Sequence, residues 1–198
     1  MYKEYQMKRV AVYLGSSSGS KPAFCEMAYN LGRRLGEAHI TVVYGGASVG
    51  TMKSLADGAL GAGGRVMGVF PQGFLGKKER HFSDPSQVML SECTEIVKVR
   101  NMAQRKKYMS DLCNCCVIMP GGWGTVDELM GHLVNRDIGK DEKPIFVFNY
   151  EGYWDTLKAM ADKMFECGFI SPDAHGYMVF CDSIDELMDH IQEYLKGK

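Results

Sequence analysis

The residues of this chain best suited to chemistry are a glycine-rich turn and the acid that follows it. The turn, Pro120–Thr125, comes after the apolar run 115–119 and opens into a helical pattern. Such a turn binds anions because backbone N–H groups and the positive end of the helix dipole converge there. Glycine lets the backbone approach a phosphate without a Cβ in the way. The sequence therefore predicts a phosphate site at this turn, with Thr125 capping the helix or donating its hydroxyl.

Glu128 places a carboxylate one turn into the same helix. A negative charge does not help to bind phosphate, so we interpret Glu128 as a residue that takes part in the reaction. The alternative is structural: Thr125-x-x-Glu128 has the spacing of an ordinary capping box. Two further features favour the chemical interpretation.

A second glycine-rich turn follows the β-branched run 40–44, and residues 51–63 after it show helical spacing. Gly45-Gly46 in this turn resembles a dinucleotide-binding fingerprint but lacks the full Gly-x-Gly-x-x-Gly pattern. No acidic residue follows the next strand, 65–70, where an NAD site would hold a ribose. NAD binding is therefore disfavoured.

Arg105 is the other feature. Met102, Arg105 and Met109 share one face of a predicted helix over 101–112. An arginine flanked by apolar residues often only extends its charged end to the solvent. This helix, however, leads directly into the strand before the Pro120–Thr125 turn. We therefore predict that Arg105 reaches the ligand, where its planar fork suits a phosphate or a ribose diol.

Six segments of the chain resemble the LONELY GUY family of cytokinin riboside 5'-monophosphate phosphoribohydrolases, many of them formerly labelled lysine decarboxylases. The segments are 12–17, 44–50, 105–106, 120–128, 152–154 and 166–170. The resemblance covers nearly the whole chain and implies that Arg105 and Glu128 are catalytic. It implies hydrolysis of the N-glycosidic bond of a nucleoside 5'-monophosphate, either a cytokinin riboside monophosphate or AMP. The products are the free base and ribose 5-phosphate, no metal or organic cofactor is needed, and at least a homodimer is expected.

The resemblance also indicates which residues contact the substrate. They are Gly15, Ser16, Ser17, Gly45, Gly46, Glu79, Met102, Lys106, Gly121, Gly122, Trp123, Gly124, Thr125 and Asp127. The chain departs from the family pattern at Ala103, Gln104 and Val134, which leaves open whether AMP or an isoprenylated adenylate is preferred.

The residues support two other functions less well than hydrolysis. A pyridoxal-phosphate decarboxylase needs a Schiff-base lysine with a partner for the pyridine nitrogen, and Lys53, Lys106 and Lys107, the lysines near the motifs, show no such pattern. The stronger alternative is a non-catalytic nucleotide-binding or carrier protein on the same fold. The intact pair of Arg105 and Glu128 favours the enzyme.

Composition fits a small-molecule enzyme. The 198 residues carry a net charge of −1 without a basic stripe, which argues against nucleic-acid binding. No apolar run is long enough for a bilayer span, and residues 1–6 lack the apolar core of a signal peptide. We expect one domain over residues 1–198, located in the cytoplasm and without a membrane partner.

The cysteines and histidines show no metal or disulfide pattern. Seven cysteines is an odd number, which does not suit a disulfide framework. The Cys113-x-x-Cys116 pair precedes a strand, whereas a redox motif of this spacing follows a strand. Buried, inert thiols explain them better. His132 lies four residues after Glu128 and could orient that carboxylate, although a packed or surface histidine is the commoner case.

The chain alternates strands and helices, which predicts an α/β, Rossmann-like, doubly wound domain with a mainly parallel sheet. Strands are predicted near 9–14, 40–44, 65–70, 96–99, 115–119, 144–149 and 177–181. Helices are predicted near 21–38, 49–63, 101–113, 124–138, 153–167 and 183–196. Ligands bind such folds beyond the carboxyl ends of the strands, and the loop 71–95 could act as a lid.

Overall fold

The computed structural model describes residues 8–71 and 93–197, and its elements follow the predicted alternation. The strands are β1 (Arg9–Tyr13), β2 (Thr41–Tyr44), β3 (Val66–Pro71), β4 (Glu95–Val99), β5 (Cys115–Ile118), β6 (Ile145–Phe148) and β7 (Met178–Cys181). The helices are α1 (Ala23–Glu37), α2 (Gly50–Gly61), α3 (Met102–Leu112), α4 (Trp123–Asp137), α5 (Asp155–Glu166), α6 (Pro172–His175) and α7 (Ile184–Lys196).

All seven strands form one sheet in the order β4-β3-β2-β1-β5-β6-β7, and every pairing is parallel. The chain builds one half of the sheet outward from β1 to β4 and then returns to place β5 on the other side of β1. The crevice between β1 and β5 is thus the point where the strand order reverses. In open parallel sheets, ligands bind at the carboxyl ends of the strands beside this point.

Alternate residues of β1 face two separate cores, as expected for a sheet covered on both sides. Val10 and Val12 pack into the core that contains the buried residues of α1, α2 and α7. Ala11 and Tyr13 pack into the other, with buried residues of α3, α4 and α5. The predicted α/β fold with a doubly wound parallel sheet is confirmed.

The structure corrects several details of the predicted elements. Sequence reasoning missed a 3₁₀ turn at Tyr150–Gly152 and the four-residue helix α6. Neither is long enough to show a hydrophobic period. The strand β4 begins at Glu95, inside the predicted 71–95 loop, and it is an edge strand with largely exposed side chains. Pro71 ends β3, and residues 72–92 of that loop, with the proposed lid, lie outside the described residues. Over the described ranges, no helix is long and apolar enough to cross a bilayer.

Glycines allow α1 and α2 to pack at backbone contact. A Cβ on Gly32 would overlap the carbonyl oxygen of Leu55, and one on Gly58 would overlap that of Tyr29. These contacts fix α2, whose first turn borders the candidate site.

We predict that Gly58→Ala destabilises the protein by roughly 1–3 kcal/mol, because the added methyl group forces the two helices apart. Gly61→Ala in the same helix is the matched control, since its Cβ would meet only the Tyr29 hydroxyl at 3.8 Å. Alanine is the better helix former, so the control should be neutral or stabilising. Denaturant unfolding measures both, and equal midpoints for the two variants would contradict the close packing.

Candidate active site

Three turns meet at the carboxyl end of the sheet, beside the point of strand reversal. The amide of Gly15, after β1, donates to the carbonyl oxygen of Pro120, after β5, at 3.3 Å. The Thr51 hydroxyl, in the first turn of α2, donates to the Gly15 carbonyl oxygen at 2.6 Å. The Thr51 amide donates to the Ser17 carbonyl oxygen at 3.3 Å. The turns after β1, β2 and β5 are therefore held together by hydrogen bonds.

The helix α4 begins without a side-chain cap. Its N-cap residue is Gly122, and Thr125 lies inside the first turn. The interpretation of Thr125 as the capping residue, and with it the capping-box alternative, is therefore wrong. Thr125 is instead buried, and its hydroxyl packs so closely on Gly121 that a Cβ there would overlap it. The first-turn amides of a helix have no intrahelical acceptor, so this uncapped terminus presents donors to a ligand.

Tyr153 fixes the same turn from the other side. Its hydroxyl donates to the carbonyl oxygen of Gly121 at 2.7 Å. Sequence reasoning did not single out Tyr153, although Gly152-Tyr153-Trp154 is one of the segments that resemble the family. The bond holds the Gly121 carbonyl group in place and so restricts the orientation of the turn.

Arg105 and Glu128 form an ion pair below these turns. Arg105 Nη2 lies 3.3 Å from Glu128 Oε1, and the two side chains are only 11% and 6% exposed. Arg105 Nη1 donates to the Met102 sulfur at 3.6 Å. The guanidinium also lies against Gly45, where any Cβ would overlap Nη2. The alternative that Arg105 only extends to the solvent is wrong, because the side chain is buried.

The Nε of Arg105 is an unused donor. This atom is buried and has no hydrogen-bond partner among residues 8–71 and 93–197. A buried N–H without an acceptor costs free energy, so this atom is suited to an oxygen of a bound ligand.

Burial sets the ionisation of Glu128. Loss of solvent is the largest cause and, together with the charge of Asp127, raises the pKa of its carboxyl group from 4.5 to about 7. Arg105 and Lys106 oppose the shift without cancelling it. A carboxyl group with this pKa can both take up and release a proton near neutral pH.

The other predicted contact residues fall into two groups. Gly45 and Gly46 are buried, and Gly46 has a φ of +78°. The exposed group consists of Ser16, Ser17, Gly122, Trp123, Gly124 and Asp127. Lys106 bridges α3 to α4 by an ion pair with Asp127 at 2.9 Å. Glu79, the remaining candidate, lies outside the described residues.

His132 does not contact Glu128 in the way that sequence reasoning suggested. Its Nε2 lies 3.0 Å from the Tyr13 hydroxyl and its Nδ1 lies 3.7 Å from Asp141. An open cavity of about 1470 Å³ has Glu128, His132, Tyr13 and Asp141 in its lining. The glycine turns do not line this cavity. Of the ion pair, Glu128 lines this cavity and Arg105 does not.

The thiols of the central strand are buried, and the lysines near the motifs are ion-paired. The buried Cys113 and Cys116 carry thiols whose pKa burial raises, that of Cys113 to about 12. Lys53, Lys106 and Lys107 are each ion-paired with an aspartate. Within the part of the chain that the structure describes, no three His, Cys, Asp or Glu side chains are grouped so as to hold a metal ion.

Comparison with known proteins identifies the family. Residues 52–191 match the family model described as "Possible lysine decarboxylase". A cytokinin riboside 5'-monophosphate phosphoribohydrolase of Arabidopsis thaliana is 34% identical over 189 residues, covering 96% of this chain and 83% of the plant protein. A second enzyme of that name from the same plant is 33% identical over 192 residues, covering 97% and 86%. The chain belongs to the LONELY GUY family.

Solved structures show the same fold at lower identity. The molybdenum cofactor carrier protein of Chlamydomonas reinhardtii superposes with a TM-score of 0.69 at 17% identity, covering 96% of this chain and 98% of that one. The molybdenum cofactor binding protein of Rippkaea orientalis gives a TM-score of 0.67 at 16% identity, covering 95% and 97%. These likenesses establish the fold and do not distinguish hydrolysis from ligand carriage.

We predict that stability depends on the ionisation of Glu128. Its folded pKa of about 7 exceeds the ordinary value of 4.5, so folding favours the protonated form. This contribution is fully present below pH 4.5 and is lost as the pH rises through 7. The glutamine of Glu128→Gln cannot ionise, so this variant does not lose stability as the pH rises through the window. Its unfolding free energy relative to that of the wild type should therefore rise with pH, by roughly 3 kcal/mol at most.

Denaturant unfolding at pH 4.5, 6 and 8 measures this difference. Asp137→Asn is the matched control because Asp137 is the last residue of the same helix, is exposed and is not among the charges that act on Glu128. A difference between Glu128→Gln and wild type that is the same at all three pH values would contradict the burial argument.

Proposed function

We propose that this protein hydrolyses the N-glycosidic bond of a nucleoside 5'-monophosphate, AMP or its isoprenylated form, to the free base and ribose 5-phosphate. The observation that carries the proposal is the buried pair of Arg105 and Glu128 beside an uncapped helix N-terminus. Membership of a family whose curated relatives are named phosphoribohydrolases supports it.

The phosphate binds at the start of α4 in this proposal. The amides after Gly121 and the positive end of the helix dipole neutralise its charge. Tyr153 holds the Gly121 carbonyl group, which keeps the turn in position as the ligand enters. Remote binding energy of this kind holds the ribose in its reactive geometry.

Glu128 and Arg105 act at the ribose. Cleavage of the bond from C1' to the base develops oxocarbenium character at the sugar, which a nearby carboxylate stabilises. Glu128 takes a proton from the attacking water, whose oxygen bonds to C1' as the bond from C1' to the base breaks. The proton held by Glu128 then passes to the leaving base. Arg105 donates through its unused Nε to a ribose or phosphate oxygen and keeps the negative charge of Glu128 balanced.

We further propose that the protein works as a homodimer in the cytoplasm. Large apolar side chains are exposed in the free chain, among them Phe169 at 85%, Val134 at 57% and Ile138 at 55%. A second copy would cover such residues. All seven cysteines lie in the described ranges and form no disulfide bond, as expected of a reducing compartment.

The proposed function is tested by the release of free base. We expect purified protein to release adenine and ribose 5-phosphate in equal amounts from AMP, and an adenine derivative from isoprenylated AMP, with far slower release from adenosine. Glu128→Gln should lower turnover by roughly 100-fold or more. Binding of AMP by the wild type without any release of base would favour the carrier alternative. Equal turnover of adenosine and AMP would contradict the phosphate site.

We predict that Arg105→Ala loses turnover with a small change in melting temperature when both are measured at pH 6, because Glu128, with a pKa of about 7, is then protonated and leaves no unpaired buried charge. Removing the guanidinium deletes a charge-assisted contact to the ligand, which typically contributes ~1.5–3 kcal/mol. Because each 1.4 kcal/mol of transition-state stabilisation corresponds to about a tenfold change in rate, turnover should fall by at least that factor. Lys107→Ala, two residues along the same helix and paired only with exposed Asp111, is the control. A lowered melting temperature with normal turnover would return Arg105 to a structural role.

A further inference from the structure

The contact between Tyr153 and the turn after β5 acts on a single peptide group. The Tyr153 hydroxyl donates to the Gly121 carbonyl oxygen at 2.7 Å. That oxygen belongs to the peptide group that joins Gly121 to Gly122, the N-cap residue of α4. A trans peptide group is planar, so its C=O and N–H point in opposite directions. The Tyr153 hydroxyl therefore fixes the direction of the Gly122 N–H.

The strand order gives that direction. In the sheet, β5 lies between β1 and β6, and Tyr153 reaches Gly121 from the turn after β6. A carbonyl group directed toward Tyr153 leaves the N–H on the side of β1, where the Gly15 amide donates to the Pro120 carbonyl oxygen. This is the crevice at which the strand order reverses, and ligands of such sheets bind there.

The turn that carries Tyr153 is held by its own contacts. The side-chain oxygen of the buried Asn149 accepts from the Trp154 amide at 2.7 Å, and its Nδ2 donates to an Asp155 carboxylate oxygen at 2.9 Å. The Tyr153 ring packs edge-on against the ring of Trp154, with 4.9 Å between centroids, and against that of Phe24, with 6.0 Å. These packing contacts need only the ring, so Tyr153→Phe removes the hydroxyl bond and keeps them.

Glycine on both sides allows this peptide group to invert. Inversion changes chiefly two adjacent backbone angles, ψ of Gly121 and φ of Gly122, and neither residue has a Cβ to oppose it. Gly122 has φ −95° and ψ −157°, so inversion would take its φ to about +85°, in a region open essentially to glycine alone. The inverted group would present its carbonyl oxygen to the crevice, and the partial negative charge of that oxygen repels an anion.

We propose that Tyr153 is a positioning residue for the phosphate: its hydroxyl prevents inversion of the Gly121–Gly122 peptide group, so that the Gly122 N–H stays directed at the anion. Its effect is confined to ligands that carry the phosphate group. This inference deepens the proposed function and rests on the phosphate position given there.

Loss of the hydroxyl should weaken the binding of AMP and leave the binding of adenosine unchanged. In Tyr153→Phe we expect AMP affinity to fall by roughly three- to tenfold, the range that one neutral hydrogen bond contributes. Tyr150→Phe is the matched control, because Tyr150 lies in the same turn and its ring also packs edge-on against Phe24. Its hydroxyl interacts with Glu151, so its removal should leave AMP affinity unchanged.

Gly122→Ala separates peptide inversion from any other effect of the hydroxyl. Among the residues that the structure describes, nothing lies within 4 Å of a Cβ placed on Gly122. The observed backbone of Gly122 is extended, which alanine adopts readily, whereas alanine is excluded from the inverted state. In a Gly122→Ala background, Tyr153→Phe should therefore cause no further loss of AMP affinity.

The test is calorimetric titration of the full chain with AMP and with adenosine, in protein where Glu128→Gln prevents turnover. A ¹⁵N NMR spectrum follows the Gly122 amide, whose signal Gly122→Ala identifies. Binding needs no turnover, so failure of the proposed hydrolysis and failure of this inference are distinguishable. We expect AMP to shift the Gly122 amide signal, and Tyr153→Phe to weaken AMP alone and only where residue 122 is glycine. Unchanged AMP affinity in Tyr153→Phe, an equal loss of adenosine affinity, an equal loss in the Gly122→Ala background, or a Gly122 amide that AMP leaves unshifted would overturn the proposal.

Discussion

Burial of an ion pair at the point of strand reversal is the constraint on which the rest of the site depends. Arg105 Nη2 and Glu128 Oε1 lie 3.3 Å apart, and both side chains are almost fully buried. Removing two such charges from water costs free energy that their mutual attraction does not fully return. The raised pKa of Glu128 is the direct result of that cost. Burial thus lowers stability at this site, and groups with pKa values shifted in this way cluster at functional sites.

Neighbouring backbone makes room for the pair. Gly45 leaves the space that the Arg105 guanidinium occupies. Glycine is therefore required in the turn after β2 by Arg105 itself, in addition to any ligand. Thr51 and Gly15 tie that side to the turn after β5. An uncapped α4 then presents its first amides next to the carboxylate it carries. In the proposed function, anion binding and proton transfer therefore take place on one helix, one turn apart.

The sequence predicted the fold because its signals are local. Apolar strands such as β5 and β6 and the glycine turns after them report burial and direction within a few residues. Arg105 and Glu128 could be selected from spacing and family resemblance. The residue at which α4 begins could not be predicted, because the spacing of Thr125 and Glu128 also fits a capping box. Only the backbone shows that Gly122 is the N-cap residue.

Contacts between distant segments were beyond sequence reasoning. The bond from Tyr13 to His132 joins residues 119 positions apart, and Tyr153 reaches Gly121 across 32. A lone tyrosine or histidine carries no spacing that would reveal such a partner. His132 was noticed for its position after Glu128, but its partners were not predictable.

The measurement that tests the central claim most directly is a crystal structure of Glu128→Gln with AMP bound, since the substitution preserves the shape of the site and should prevent turnover. The account predicts the phosphate at the first turn of α4, the ribose next to Arg105 Nε, and C1' within reach of a water held by residue 128. A phosphate bound away from the Gly121–Thr125 turn, or a C1' that faces away from residue 128, would contradict it.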